Sequence, residues 1–520
     1  HLHIPKLVVP TGLTADGQPI IPPNLAMLVF GVASGAVALH GIASGVVGRP
    51  QPAAAKKGPG HFVSGLVRES GEPVIRAAMM QAMRIMGEQF VLGKTVEAAI
   101  KHAELEFQMR LEKELNALTD VQKKIHMAQR NAPIEISDEV TQVLWKTMGI
   151  SEVMNAEDLV QASIDRLLEI TQTSPLVLSL EGAFHGKSTG ALSLTANPSY
   201  RRPWNRLGCA STFIPRNDMA ALYDVLDSAR FGFAQLTLRG QRLEAKPAEL
   251  VNVIAAFVEP IQGEGGVLEI EPKFLRVLRA CATEAGFPLV FDEIQSGMGR
   301  TGSFLASTHF GVVPDYILLS KALGGGLCKV SALLVDSVRY VSEFGLLHTS
   351  TFAGDNHSSA VALEALNMLD ENQGALMDQC AKQGSNFVAR LNDLQKRYPG
   401  ALQEVRGRGL LMAVELIPRE NTSSIFLSWA SEQGLLGYVV AGYLLREHNI
   451  RIAPTLSNPN TLRIQPSAFV SEKEMSLFCD AFEEALRLLR ADDSGTLLGH
   501  LVNRTQSSES HVLPVGEYTP

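Results

Sequence analysis

The sequence predicts an α/β fold, with a mostly parallel sheet in a large domain and a small α+β domain on its C-terminal side. Two short apolar runs, residues 288–291 and 316–319, have the composition of parallel strands that are buried on both faces. An ionisable side chain follows each run, Asp292 after the first and Lys321 after the second. Because ligands bind at the carboxyl ends of strands in open α/β sheets, we expect both side chains to border a binding crevice.

A chain of 520 residues is long enough for two or three domains, each with its own core. Residues 24–48 carry no charge and are long enough to consider as a membrane span. Their glycine, alanine and serine content instead favours a buried helix or the end of an upstream domain. We expect an N-terminal arm or linker over 1–60, a large domain over 61–365 with a helical insertion at about 104–173, a small domain over 366–490 and a loose tail over 491–520.

Composition excludes several classes of function. Apolar residues make up 46% of the chain and charged residues 19%, which is ordinary for a globular enzyme. A net charge of -8 argues against nucleic acid as a partner. The five cysteines form no closely spaced pairs, which fits a reducing compartment, and we expect a cytoplasmic protein without a metal site.

The pairing of Asp292 with Lys321 suggests a bound cofactor. We expect both side chains to be buried, because a lysine in an apolar pocket becomes a nucleophile that forms Schiff bases. A carboxylate beside it can hold a protonated pyridine nitrogen, and the two groups together fit pyridoxal phosphate. The alternative is a structural ion pair at a domain edge, but the glycine-rich surroundings favour a ligand.

Two long motifs carry a family resemblance. Residues 292–302 read Asp-Glu-Ile-Gln-Ser-Gly-Met-Gly-Arg-Thr-Gly, and residues 320–326 read Ser-Lys-Ala-Leu-Gly-Gly-Gly. This pattern resembles the class III aminotransferases of the ornithine and acetylornithine group. The resemblance implies a pyridoxal-phosphate enzyme of fold type I, a homodimer with shared active sites, and transfer of an amino group from a small-molecule donor to a carbonyl acceptor in biosynthesis. The chain also resembles the aminotransferase part of a prodigiosin-pathway enzyme that aminates a keto-aldehyde.

The same resemblance implies roles for individual residues. Lys321 would hold the cofactor and act as the general base, while Asp292 would keep the ring nitrogen protonated. Around the ring, Phe184 and Ile294 would pack on opposite faces. The other two ring residues would be His185, beside Phe184, and Gln295, on the phenolic oxygen.

Further positions are implied for the phosphate and the substrate. A glycine turn that opens a helix is a ready anion site, and here it contains Gly93, Lys94 and Thr95, a departure from the family's usual turn. Thr351 would reach the phosphate of the neighbouring subunit. For the substrate, Arg463 would bind an α-carboxylate, and Glu264 would pair with Arg463 when no carboxylate is bound.

Several alternatives stay open at this stage. Other reactions of the same scaffold are decarboxylation, racemisation and amino migration. A nicotinamide oxidoreductase is suggested only by the glycines of 297–302, which do not open a helix in a dinucleotide-binding unit. A non-catalytic docking module is suggested only by the insertion, in which the apolar residues of 158–172 fall mostly on one helix face. A docking module would have lost Lys321 or Asp292, and the sequence keeps both.

Overall fold

The computed structural model describes residues 95–150, 155–348 and 356–502, together with four short strands nearer the N terminus. The predicted phosphate residues Gly93, Lys94 and Thr351 lie outside the described residues. The chain divides into two compact units. Unit 1 is His1–Gln262 with Glu269–Asp378, and unit 2 is Gly263–Leu268 with Gln379–Pro520.

Unit 1 is built on an eight-stranded sheet. Five neighbouring strands run parallel, and three antiparallel strands extend one side. The order across the sheet is Gly35–Ala38, Met27–Val32, Ala332–Val335, Tyr316–Leu319, Leu289–Asp292, Val253–Val258, Leu176–Leu180 and Ser211–Ile214.

Burial on both faces explains why the central strands read as continuous apolar runs. Every residue of Val253–Val258, Leu289–Asp292 and Tyr316–Leu319 is buried. Phe257 and Phe291 are among the largest side chains with no measurable exposure, and burying each one stabilises the fold by roughly 1.5–3 kcal/mol. The predicted fold class and the predicted parallel strands are therefore confirmed.

Helices cover this sheet and connect its strands. Three of them lie in the predicted insertion or run into it. The α-helices of unit 1 are Thr95–Ala128, Asp138–Met148, Ala156–Thr171, Thr189–Ser193, Pro198–Arg201, Met219–Ser228, Pro272–Ala285, Phe344–Leu347 and Asn356–Asp370, and Ala375–Arg397 begins in this unit. Short 3₁₀ turns occupy Arg202–Leu207, Ala306–Phe310, Lys321–Gly324 and Glu371–Gln373.

The insertion packs against a long β-hairpin. Strands Arg230–Arg239 and Arg242–Val251 pair along their full lengths, and the short strand Glu135–Ile136 joins the hairpin edge. Helix Ala156–Thr171 starts at Asn155, whose side chain accepts the N–H of Asp158. Its buried residues include Leu159, Leu167 and Ile170, while Leu168 is 39% exposed. Most of the predicted apolar face is thus in the core, with Leu168 outside it.

The expectation of a buried helix over residues 24–48 was wrong. These residues contain the strands Met27–Val32 and Gly35–Ala38. The two strands pair antiparallel and extend the main sheet beside Ala332–Val335. Glycines at short intervals disfavour a helix, and the β-branched and aromatic residues between them suit strands.

Unit 2 contains a four-stranded antiparallel sheet. Its strands, in spatial order, are Leu402–Arg408, Leu411–Leu416, Thr461–Ile464 and Ala453–Pro454. The helices that pack with it are Ile425–Glu432, Leu436–Glu447, Glu472–Arg490 and Ser494–Val502. A short pair of strands, Ile261–Gln262 and Leu268–Glu269, flanks the unit's first segment.

The expected loose tail is wrong for its first part. Helix Ser494–Val502 begins two residues after Asp492, and its Leu497 is fully buried. Asp492 accepts hydrogen bonds from Arg419 and Ser423, which ties the start of this segment to the unit. The hydrogen bond from the Thr422 side chain, together with those from Arg419 and Ser423, holds the pKa of Asp492 well below its usual range. The polar sequence after residue 491 therefore contains an ordered helix.

Among the described residues, none of the helices combines the length and apolar character that crossing a membrane requires.

Candidate active site

Two neighbouring parallel strands deliver Asp292 and Lys321 to the same edge of the sheet. Asp292 ends the strand Leu289–Asp292 and lies in register with Leu318 of the next strand. That next strand ends at Leu319, two residues before Lys321. Because the strands are parallel, both side chains emerge at the carboxyl edge, where ligands bind in this class of fold.

Asp292 is a buried carboxylate with hydrogen-bond partners for both oxygens. Its Oδ2 lies 2.8 Å from Nδ1 of His185, and its Oδ1 accepts the backbone N–H of Ile294 at 3.1 Å. The side chains of His185 and Asp292 are 0% and 5% exposed. Thr195 fixes the histidine by accepting its backbone N–H at 3.2 Å. The carboxylate is therefore held in place before any ligand arrives.

Lys321 is exposed, and the expectation that it is buried was wrong. Its backbone has φ 45°, in the left-handed region, where a side chain other than glycine costs about 1–2 kcal/mol. Such outliers cluster at functional sites because surrounding structure must hold them. The exposed side chain leaves Lys321 accessible to an aldehyde that arrives from solvent.

Glu259 completes the cluster around Asp292. It follows the strand Val253–Val258, is 4% exposed, and accepts the backbone N–H of Phe184 at 2.8 Å. The backbone of Phe184 is thereby tied to the sheet edge while its ring stays half-buried. The charges of His185, Asp292 and Lys321 all act on Glu259, which places the four groups in one electrostatic neighbourhood.

Burial and charge shift the acid–base properties of this cluster. Burial raises the pKa of Glu259 to about 7, against the opposing influence of His185 and Lys321. Burial also acts to lower the pKa of His185. The hydrogen bond and charge of Asp292, together with the charge of Glu259, outweigh that effect and raise it. The histidine therefore favours the protonated form beside the Asp292 carboxylate.

These shifts predict that the unfolding midpoint in urea falls as pH rises. Glu259 has an ordinary pKa of 4.5 and a folded pKa of about 7, so the stability it contributes is complete below about pH 4.5 and is lost as pH rises through about 7. We expect Glu259→Gln to remove roughly 1–3 kcal/mol of this pH dependence between about pH 5 and pH 7. His185, whose ordinary pKa is 6.5, loses its contribution only at higher pH, as pH rises through its own raised pKa.

The measurement is the urea midpoint at both pH values and one cofactor concentration. Glu181→Gln is the matched control, since that carboxylate is exposed and follows a neighbouring strand. A wild-type midpoint that stays flat over this range, or an equal change in both variants, would contradict the assignment.

The loop after Asp292 is anchored by a residue that sequence reasoning did not single out. Glu293 is fully buried and accepts hydrogen bonds from Ser296 Oγ and from the backbone N–H groups of Ala306 and Ser307. These hydrogen bonds hold the loop that carries Ile294 and Gln295, both of which are half-buried. The sequence shows only a second acid directly after Asp292, and this does not reveal its hydrogen-bond partners.

The predicted phosphate residues are only partly described. Thr95 is buried and is the first residue of helix Thr95–Ala128. An anion site at the N-terminus of this helix stays a prediction. Gly93, Lys94 and Thr351 are outside the described residues, so their roles stay predictions.

The predicted substrate residues meet within unit 2. Nη1 of Arg463 pairs with Oε1 of Glu264, and their side chains are 20% and 12% exposed. The second carboxylate oxygen of Glu264 accepts the backbone N–H of Leu456 at 3.2 Å. Two residues far apart in sequence therefore form a nearly buried ion pair. Removing either partner of such a pair destabilises the protein, because the remaining charge is left without its counter-charge.

The residues at the sheet edge fit pyridoxal phosphate. A pre-positioned buried carboxylate and a reachable lysine are the two groups that this cofactor takes from a protein. Within the described residues, Nε2 of His185 is buried and has no hydrogen-bond partner, so the polar cluster is not complete by itself. The site has a buried carboxylate and an accessible lysine at the ends of neighbouring strands in a mostly parallel sheet. These features are those of a pyridoxal-phosphate-dependent enzyme.

The family follows from comparison of the sequence with known proteins. A profile of the family described as aminotransferase class-III matches residues 94–486. The chain therefore belongs to the class-III aminotransferases, which use pyridoxal phosphate to transfer amino groups between small molecules. The resemblance to the class III aminotransferases, the cofactor and the reaction class are confirmed.

Solved structures agree with this fold. The ornithine aminotransferase from Toxoplasma gondii ME49 is 23% identical, with a TM-score of 0.50, over 72% of this chain and 83% of that one. A transaminase from the marine bacterium Virgibacillus is 20% identical, with a TM-score of 0.50, over 68% of this chain and 73% of that one. At these identities the likeness concerns the fold alone.

Proposed function

We propose that Lys321 and Asp292 are the catalytic pair of this aminotransferase and that Arg463 and Glu264 select its substrates. The observation that carries the proposal is the position of Asp292 and Lys321 at the carboxyl ends of two paired parallel strands. Pyridoxal phosphate, when bound, supplies an aldehyde that holds the amino group and a ring that accepts electrons. The amine of Lys321 would move the proton between the substrate Cα and C4′ of the cofactor, in one direction with the amino donor and in the other with the carbonyl acceptor.

Asp292 and its neighbours maintain the charge that this chemistry needs. The Asp292 carboxylate would keep the cofactor's ring nitrogen protonated, and His185 and the Ile294 N–H keep that carboxylate oriented. Phe184 and Ile294 would hold the ring between them. Gln295 would donate to its phenolic oxygen, while Gly93, Lys94, Thr95 and Thr351 would bind the phosphate.

The Arg463–Glu264 pair supports a substrate choice with two modes. While Glu264 occupies Arg463, the pair offers no free cation, and an ω-amine without an α-carboxylate is favoured. When Glu264 moves away, the planar fork of Arg463 binds the α-carboxylate of a glutamate-like partner. The enzyme thus moves an amino group between an amino acid and an aldehyde or keto acceptor. The keto-aldehyde of a prodigiosin-type pathway stays a prediction.

Removing Arg463 separates the two modes. We expect Arg463→Ala to lower kcat/KM for L-glutamate by about 10²–10³-fold, because a carboxylate loses a charge-assisted bidentate partner. The half-reaction with 1,4-diaminobutane, which has no carboxylate, should change by less than about threefold. The measurement is the rate at which each compound changes the absorbance of the bound cofactor.

Two further variants serve as controls. Arg463→Lys keeps the charge and loses the fork, so it should fall between wild type and Arg463→Ala. The double variant Arg463→Ala with Glu264→Ala removes the unpaired carboxylate that the single change leaves behind. A glutamate rate that is unchanged in Arg463→Ala, or a wild type that reacts with neither compound, would overturn this substrate assignment.

The proposal includes a homodimer in the cytoplasm, with Thr351 reaching the cofactor phosphate of the neighbouring subunit. It is supported by the family resemblance around residues 348–356. Release of keto product together with pyridoxamine phosphate, one for one, distinguishes transamination from decarboxylation, racemisation and amino migration.

A further inference from the structure

Arg406 joins three separate segments of unit 2. Its Nε donates to the backbone oxygen of Gly266 at 2.8 Å, in the short segment that also carries Glu264. Its Nη2 donates to Oγ1 of Thr461 at 3.1 Å, at the start of the strand that carries Arg463. Its Nη1 lies 2.5 Å from Glu415. Glu415 is on the strand Leu411–Leu416, which lies between the strand of Arg406 and the strand of Arg463. One guanidinium therefore links the two sides of the Glu264–Arg463 pair.

The segment that carries Glu264 has a backbone that needs external support. Gly266 has φ 118° and Val267 has φ 56°, so two consecutive residues lie at positive φ. A β-branched residue in this region is an outlier with a cost of about 1–3 kcal/mol. The bond from Arg406 to Gly266 holds the turn at the residue directly before Val267. The arginine side chain is only 11% exposed, so water is a poor substitute for it.

Glu264 is held by hydrogen bonds to both its backbone oxygen and its side chain. Its backbone oxygen accepts the N–H of Ser457 at 3.0 Å, and its Oε2 accepts the N–H of Leu456. With Arg406 fixing Gly266 two residues later, the turn is tied at both ends. Departure of Glu264 from Arg463 is then a rotation of one side chain and requires no movement of the turn.

We propose that Arg406 is a positioning residue that keeps Glu264 on Arg463 and thereby sets the preference between amines with and without an α-carboxylate. The inference rests on the proposed function of the Glu264–Arg463 pair. Arg406 acts through Glu264 and contacts no substrate. Loss of its fork releases the turn from its positive-φ conformation, so Glu264 occupies Arg463 for less of the time and α-carboxylates compete better.

The test is Arg406→Lys, which keeps the positive charge beside Glu404 and Glu415 but cannot hold Gly266 and Thr461 together. We expect the ratio of kcat/KM for 1,4-diaminobutane to that for L-glutamate to fall about tenfold, mainly through KM, with the maximal rate for glutamate kept within about threefold. Arg390→Lys is the matched control, because Arg390 pairs with Glu472 elsewhere in unit 2. A merely structural loss would lower both activities together.

A second variant covers the case in which Arg406→Lys does not fold. Thr461→Val removes the acceptor for Nη2 in a fully buried residue of similar shape, and it should shift the ratio in the same direction. If Glu264→Ala shifts the ratio while Arg406→Lys and Thr461→Val leave it at the wild-type value, the role of Arg406 is refuted. If Glu264→Ala also leaves the ratio unchanged, the proposed function of the pair fails first. The two failures are therefore distinct.

Discussion

Transamination is expected to fall by at least about 10³-fold when Lys321 is replaced by alanine, and the visible absorbance of the protein-bound cofactor should disappear with it. The general base alone contributes roughly 10²–10⁴-fold, and the variant loses the covalent attachment as well. Lys321 follows the strand that pairs with the strand of Asp292, and its side chain is exposed and therefore accessible to the cofactor. Absorbance of the purified protein and the rate with a saturating donor are the two measurements.

A neighbouring lysine provides the control for this change. Lys329 is exposed and lies eight residues after Lys321, so Lys329→Ala removes an equivalent charge from the same region. We expect it to keep both the absorbance and the activity. Persistence of both signals in Lys321→Ala would exclude Lys321 as the cofactor's lysine.

Asp292→Asn is the second change with a large expected effect. The amide keeps the size of the carboxylate and removes its negative charge, so the ring nitrogen loses the group that favours its protonated form. We expect kcat to fall by about 10²–10³-fold, which is typical when a preorganised electrostatic contact is lost. Cofactor binding should weaken much less, because the phosphate contacts are unaffected. Turnover and cofactor titration measure the two effects separately.

Asp336 supplies a stringent comparison for this prediction. It is also a buried aspartate of the same sheet, but it follows the antiparallel strand Ala332–Val335 and so lies at the opposite edge, beside Asp315. Asp336→Asn should leave turnover within about threefold of wild type, because only the carboxyl edge is catalytic. Equal losses in the two variants would mean that Asp292 acts through stability alone.

The central strands could be predicted from sequence because burial on both faces leaves a continuous apolar run. The strand Tyr316–Leu319 has the predicted boundaries for that reason. The contact between His185 and Asp292 joins residues 107 positions apart, and no local pattern encodes such a pairing. Family resemblance supplied both residues, and the structure supplies the hydrogen bond that relates them.

The wrong expectations have a common physical origin. Exposure of Lys321 depends on which segments cover it, and the strand before it reveals nothing about that cover. Helix Ser494–Val502 is stabilised by the burial of Leu497 and by hydrogen bonds to Asp492, which local polarity does not report. The strand Met27–Val32 pairs with Ala332–Val335, about 300 residues away, and Gly35–Ala38 pairs with Met27–Val32. In each case a tertiary contact that the local sequence does not show contributes to the outcome.

The hydrogen bond from the Phe184 amide to Glu259 has a consequence for the evolution of this site. The loop at Phe184 is attached through its main chain, which every residue except proline shares. Its aromatic ring can consequently be exchanged for another without displacing the loop, since the attachment does not depend on the ring. Descendants of this enzyme can alter how tightly the cofactor's ring is stacked while inheriting the same scaffold, which makes the position a natural point of adaptation.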